Sequence, residues 1–317
     1  MNPTRTSEVD SARKLDGAAT ARQIRAEVQQ GCAELSASHG VVPGLTVVLV
    51  GDDPASQIYT RNKEKAAKKV GMDSRLLRLP ESTGESEVLE TIGRLNADAS
   101  VHGILVQLPL PDSIDSRKVT EAIAPNKDVD GFHPRNTGRL WSGLAGFVPC
   151  TPAGIIELLH RNDIALAGKP AVIIGRSNIV GKPMAALLLR EHCTVTVCHS
   201  RTADLAQTAA RAEILIAAVG RMAMVTADFI RPGAVVVDVG IHRVEDEATC
   251  RRLYGDDEKR LVAVRDKGAT LVGDVHPLDA RGRAGWLTPV PGGVGPLTIA
   301  MLLKNTLESC RRHVAGS

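Results

Sequence analysis

Tyr59 and Lys63 stand four residues apart in SQIYTRNK, so a helix through this stretch puts them on one side, a turn apart. A lysine facing apolar surroundings is desolvated, its pKa falls, and it becomes able to move protons near neutral pH. A tyrosine beside it offers a flat face for stacking and a hydroxyl. At about 100° per residue, with Tyr59 at zero, Lys63 falls at about 40°, Ser56 at about 60° and Val70 at about 20°. Arg61, Glu64, Lys65 and Lys68 fall on the opposite side. Tyr59 and Lys63 are therefore expected on the apolar stripe of an amphipathic helix. The alternative is a lysine whose stem packs inward while its ammonium reaches water, and the spacing alone leaves that open.

Other stretches offer partners. GILVQLPLP places Gln107 at the carboxyl end of an apolar strand, where ligands bind in open α/β sheets. Its amide can meet a lysine or simply cap a loop. NKDVDGFHP places Asp128 and Asp130 in a loop bounded by glycine and proline. One carboxylate there can hold paired N–H donors of a ligand, or serve the turn. TPVPGGVGPLT, with Pro291, Gly292 and Gly293, is a stiff loop whose backbone can approach a ligand closely.

AVIIGRSNIVGKP sits where a strand meets a helix, the place where Rossmann folds bind a pyrophosphate. Gly175 and Gly181 are present, but Ser177 stands where a full GxGxxG would have its second glycine. Alone, the loop reads equally as a tight turn. The next strand ends in His199-Ser200-Arg201, about 25 residues after Gly175, where an NAD site would carry an acid for the ribose 2′-hydroxyl. A hydroxyl on Ser200 and guanidinium groups on Arg201 and Arg176 suit a 2′-phosphate instead, so NADP is expected over NAD.

These residues need a scaffold. Strands are expected at Val47–Val50, Arg75–Leu79 and Gly103–Leu108, with helices from about Asp53 and at Glu85–Leu95. After the Gly/Pro-rich SGLAGFVPCTP the alternation resumes. Strands are expected at Ala171–Ile174, Thr194–Cys198, Ile214–Val219 and Ala234–Val239, and helices at Pro183–Glu191 and Asp204–Arg211. Gly240–Lys267 reads as a polar, variable excursion, and Pro296–Arg312 as a closing amphipathic helix. The fold class is α/β, with two α/β domains flanking a cleft. Residues 1–150 form the first, with the helix at 296–312 packing back on it, and 151–295 a Rossmann-like second.

Composition agrees. The 317 residues are 43% hydrophobic but only 2% aromatic, so the core must be aliphatic and each aromatic is informative. A net charge of +3 without a basic run gives no reason to expect a nucleic-acid partner. Six cysteines show neither CxxC nor zinc spacing, so no metal is expected and a reducing cytoplasmic setting is. No apolar run reaches ~18 residues, so no membrane span is expected.

YTRNK preceded by Ser56, VQLPLP, KDVDGFHP, GRSNIVGKP, CHSRT, VGDV and TPVPGGVGP occur in this order. With them the chain resembles the bifunctional methylenetetrahydrofolate dehydrogenase/methenyltetrahydrofolate cyclohydrolase family over roughly Leu15 to Arg312. The resemblance implies NADP-dependent oxidation of 5,10-methylenetetrahydrofolate to the methenyl cation, then hydrolysis to 10-formyltetrahydrofolate. It implies that Lys63 serves the hydrolytic step, that Gln107 positions it, and that Tyr59 stacks on the folate. Asp130 would anchor the pterin ring, with Ser56 and the Pro291–Gly293 loop lining the folate cleft. Gly175, Arg176, Ser177, Ser200, Arg201 and Ile241 fall on cofactor positions. A homodimer is implied as well. Thr60 departs from the family's usual valine, and HPLDARGRAGW is less typical. The alternatives are a monofunctional dehydrogenase, another two-domain NADP-dependent dehydrogenase such as a shikimate-type enzyme, and a folate- or nucleotide-binding protein without catalysis.

Overall fold

All seven residues of GLTVVLV are buried, as a central strand of a parallel sheet requires when both its faces are covered. The computed structural model describes residues 12–316. Their strands are β1 (Arg13–Lys14), β2 (Gly44–Val50), β3 (Asp73–Leu79), β4 (Gly103–Val106), β5 (Pro170–Ile174), β6 (Thr194–Cys198), β7 (Ile214–Ala217), β8 (Val235–Asp238), β9 (His242–Val244), β10 (Thr270–Val272) and β11 (Trp286–Leu287). Of the described residues, 19–154 with 297–316 form one compact unit, and 12–18 with 155–296 the other.

In the first unit β2 lies between β3 and β4, all parallel. The helix Glu85–Ala97 buries Val88, Thr91, Ile92 and Leu95, a spacing that lays one face on the sheet. Val48, Val50, Ile104 and Val106 complete that core. The helix Pro54–Lys69 starts as its sequence dictates. Asp53 caps it by accepting the Ser56 N–H at 2.7 Å, and Pro54 needs no donor at the first position. The final helix, Gly295–Ala315, is tied to loops by side chains. Asn305 Nδ2 donates to the Val129 carbonyl at 2.8 Å, and Ser309 Oγ to those of His102 and Asn126 at 2.6 and 2.7 Å.

The second unit holds a six-stranded parallel sheet in the order β1-β11-β8-β7-β5-β6. From β5 the chain moves first outward to β6, then to the other side for β7 and β8. The order therefore reverses between β5 and β7, the switch point at whose carboxyl ends open α/β sheets bind ligands. The core beneath is aliphatic, with Val172, Ile174, Leu215 and Val236 at its centre.

Gly240–Lys267 differs from the expected excursion. It contains β9 and the helices Glu247–Tyr254 and Glu258–Lys267, and β9 pairs antiparallel with β10. Val244, Cys250, Leu253, Tyr254, Leu261, Val264 and Val272 close a small separate core. Its apolar residues are too sparse for any one segment to show a stripe, and only their assembly buries them.

Candidate active site

The helix Pro54–Lys69 carries Lys63 half-buried, and its Nζ donates to Gln107 Oε1 at 2.9 Å. Gln107 directly follows β4, and its N–H continues the sheet pairing by donating to the Val48 carbonyl at 2.9 Å. Its Nε2 donates to the Leu108 carbonyl at 2.6 Å. That contact fixes the amide so that its oxygen faces the lysine.

The expected stripe is displaced. Tyr59 is 47% exposed, whereas Thr60 is fully buried and Ser56 nearly so. The buried line runs through Ser56, Thr60, Ala67 and Val70, with Tyr59 on its flank. Thr60 can be buried because its hydroxyl donates within its own helix, to the carbonyls of Ser56 at 2.9 Å and Gln57 at 3.1 Å. Ser56 is engaged in the Asp53 cap. Tyr59 presents an open ring one turn before Lys63.

The two aspartates of KDVDG separate. Asp128 is buried, and its carboxylate takes N–H groups of Gly131 and Phe132, each at 3.2 Å, and of His133 at 2.8 Å. It also takes Asn136 Nδ2 at 2.8 Å. Asp128 thus supplies the turn chemistry. Among the described residues no backbone N–H donates to Asp130, and its hydrogen-bond partner is the Cys150 side chain. Burial raises its pKa, the charge of Lys63 opposes that rise, and Asp128 adds to it. The Cys150 thiol, buried beside it, is pushed well above its ordinary value by the same desolvation and by Asp130.

In the second unit Gly175 takes φ +130, and a Cβ there would lie 2.1 Å from the Ala218 carbonyl oxygen. A Cβ on Gly181 would meet the Gly175 oxygen at 2.2 Å. The loop folds on itself closely enough to require both glycines. Ser177 Oγ accepts the N–H groups of Val180 and Gly181 at 3.1 and 3.3 Å, closing the start of the helix Gly181–Arg190. Arg176, Ser177, Ser200 and Arg201 are all exposed at the ends of β5 and β6. Among the described residues neither Arg176 nor Arg201 forms an ion pair, so both guanidinium groups remain available to a phosphate. A close-packed glycine turn with free cations beside it fits a phosphorylated dinucleotide. Ile241, 45% exposed, joins Pro291, Gly292 and Gly293 around a cavity of about 130 Å³.

Asp238 was not singled out from sequence, although an acid ending the apolar strand VVVD is a visible signal. It is 3% exposed, and burial pushes its carboxyl up to about 7 against three backbone hydrogen bonds.

Comparison with known proteins gives a consistent result. Residues 15–130 match the family described as tetrahydrofolate dehydrogenase/cyclohydrolase, catalytic domain. Residues 149–314 match its NAD(P)-binding domain. The chain is 54% identical over 301 residues to the bifunctional protein FolD of Moorella thermoacetica, covering 95% of this chain and 99% of that one. The crystal structure of the bifunctional enzyme FolD from Campylobacter jejuni is 44% identical with a TM-score of 0.86, over 95% of this chain and 99% of that one. The FolD of Trypanosoma brucei, solved with NADP cofactor and an inhibitor, is 38% identical with a TM-score of 0.86, over 96% of this chain and 99% of its own.

Proposed function

The chain belongs to the tetrahydrofolate dehydrogenase/cyclohydrolase family, and from that premise we propose how its residues divide two reactions. It oxidises 5,10-methylenetetrahydrofolate with NADP+ to the 5,10-methenyl cation, and it hydrolyses that cation to 10-formyltetrahydrofolate. NADP+, when bound, supplies the hydride acceptor. Hydride transfer asks the protein mainly for alignment. Gly175, Ser177 and Gly181 shape the turn that would hold the dinucleotide, and Arg176, Ser200 and Arg201 would meet its 2′-phosphate. Ile241 and the Pro291–Gly293 loop would border the reacting end.

Water then adds to the cationic carbon, a proton leaves that water, and a C–N bond opens to give the formyl group. Lys63 handles that proton. Gln107 holds the ammonium or amine in place, and Tyr59 provides a stacking plate. Asp130 receives the N–H donors of the pterin. The 2.9 Å contact between Lys63 and Gln107 at the end of β4 carries this reading, because it fixes a half-buried lysine where α/β sheets bind ligands. Cytoplasmic location and a homodimer belong to the same reading. The buried free thiols and the exposed Val197 on the edge strand β6 support them, and sedimentation of the purified chain checks the second.

The test follows methenyltetrahydrofolate absorbance after mixing enzyme, NADP+ and 5,10-methylenetetrahydrofolate. The signal should rise and then decay. Lys63→Met should leave the decay at its uncatalysed rate, and unchanged hydrolysis in that variant would sink the assigned role. Equal efficiency with NAD+ would overturn the preference for NADP.

A further inference from the structure

Asp274 has no exposed surface, yet its carboxylate accepts four hydrogen bonds. Oδ2 takes the N–H groups of Val219 at 2.6 Å and Gly220 at 2.9 Å. Oδ1 takes the Arg221 N–H at 3.0 Å and lies 2.8 Å from His242 Nε2, which donates to it in the tautomer that carries a proton there. The backbone N–H of Asp274 donates in turn to Asp238 Oδ1 at 2.8 Å. Asp238 also takes the N–H groups of Gly240 and Val275, both at 3.0 Å.

Two glycines are dictated by these carboxylates. A Cβ on Gly240 would lie 2.4 Å from Asp274 Oδ1, and one on Gly273 would lie 1.8 Å from Asp238 Oδ2. Neither glycine has positive φ, so close approach and not backbone conformation demands them. The segments joined in this way follow β7, β8 and β10. Ala218, which precedes the Val219–Arg221 turn, is also the residue packed on Gly175. One line of contacts thus runs from the glycine turn after β5, through Ala218 and Asp274, to the Gly240–Ile241 turn. It crosses the point where the strand order reverses.

We infer that Asp274, backed by Asp238, is a positioning residue for the dinucleotide. It locks the turns after β5, β7 and β8 against one another, so that they meet the cofactor as one preformed surface. The inference rests on the dehydrogenase reading above and adds to it a residue that need not touch the cofactor. A neutral amide cannot replace the carboxylate, because its NH2 would face N–H donors on whichever side it pointed.

The experiment is steady-state kinetics of Asp274→Asn, with both reactions measured on one preparation. The KM for NADP+ should rise about tenfold or more, while hydrolysis of methenyltetrahydrofolate stays within about twofold of the unmodified enzyme. A general loss of structure would depress both. An unchanged KM in a folded variant overturns the inference. Where Asp274→Asn loses hydrolysis too, His242→Ala decides, since it removes one donor from a partly exposed side chain. A raised KM for NADP+ with intact hydrolysis then supports the role, and an unchanged KM overturns it. Absence of NADP-dependent oxidation in the unmodified enzyme would instead refute the dehydrogenase reading itself.

Discussion

Asp128 and Asp130 carry the same functional group two residues apart and do opposite work. Asp128 spends its carboxylate on three backbone N–H groups and the Asn136 amide. Asp130 is left with burial, a neighbouring thiol and the charge of Lys63. Asp128→Asn should therefore lower stability by about 2 kcal/mol or more, because a buried donor loses its acceptor. Asp130→Asn should leave stability unchanged or raise it, since a desolvated acid is removed, while the KM for folate rises about tenfold. Denaturant unfolding and kinetics on both variants check the contrast, and a destabilised Asp130→Asn would overturn it. Sequence could name both aspartates but could not divide their roles, because the dividing factor is which backbone N–H groups the turn aims at each. Thr60 was hidden for a similar reason. A threonine reads as polar until its hydroxyl is seen bonded inside its own helix.

At the scale of elements, the turn between β5 and the helix Gly181–Arg190 is the most constrained piece of the second unit. A methyl group on Gly181 would meet backbone on every near side: the Gly175 oxygen at 2.2 Å, its carbonyl carbon at 2.7 Å and Arg176 Cα at 2.8 Å. None of these can rotate away, so Gly181→Ala must open the turn. NADP-dependent oxidation should fall about a hundredfold, the scale of a misplaced reacting group, with hydrolysis retained. Parallel loss of both activities would show instead that the turn supports the whole fold. The elements read correctly from sequence are those with strong local patterns. Thr194–Cys198 has the expected bounds, and the helix after Asp53 starts where it is expected, at Pro54. β1 and β11, two residues each, exist only through pairing with distant strands, so no local pattern records them. The small core around Tyr254 escaped because its apolar residues come from four separate elements.

For the molecule as a whole, the buried Asp238 makes stability depend on pH with a sign opposite to that of a surface carboxylate. Its folded-state value near 7 lies above the ordinary 3.8, so the native state binds a proton that the unfolded chain has already released. Its contribution is fully present below about pH 4 and is lost as pH rises through about 7. His102 runs the other way. Burial and the neighbouring His313 hold its value below the usual 6.5, so its contribution is lost as pH falls through that range. The two trends partly cancel in the unmodified protein, which is why a difference measurement is needed. Asp238→Asn loses hydrogen bonds at every pH, and that cost is constant across the window. What varies is the proton. The stability gap between the unmodified protein and Asp238→Asn should therefore be widest near pH 4, shrink as pH rises to about 7 and level off above it, by urea unfolding at fixed ionic strength. A gap that stays constant or widens with pH would mean that the three N–H donors around Asp238 keep it ionised, and that its burial is offset within the Asp238–Asp274 network.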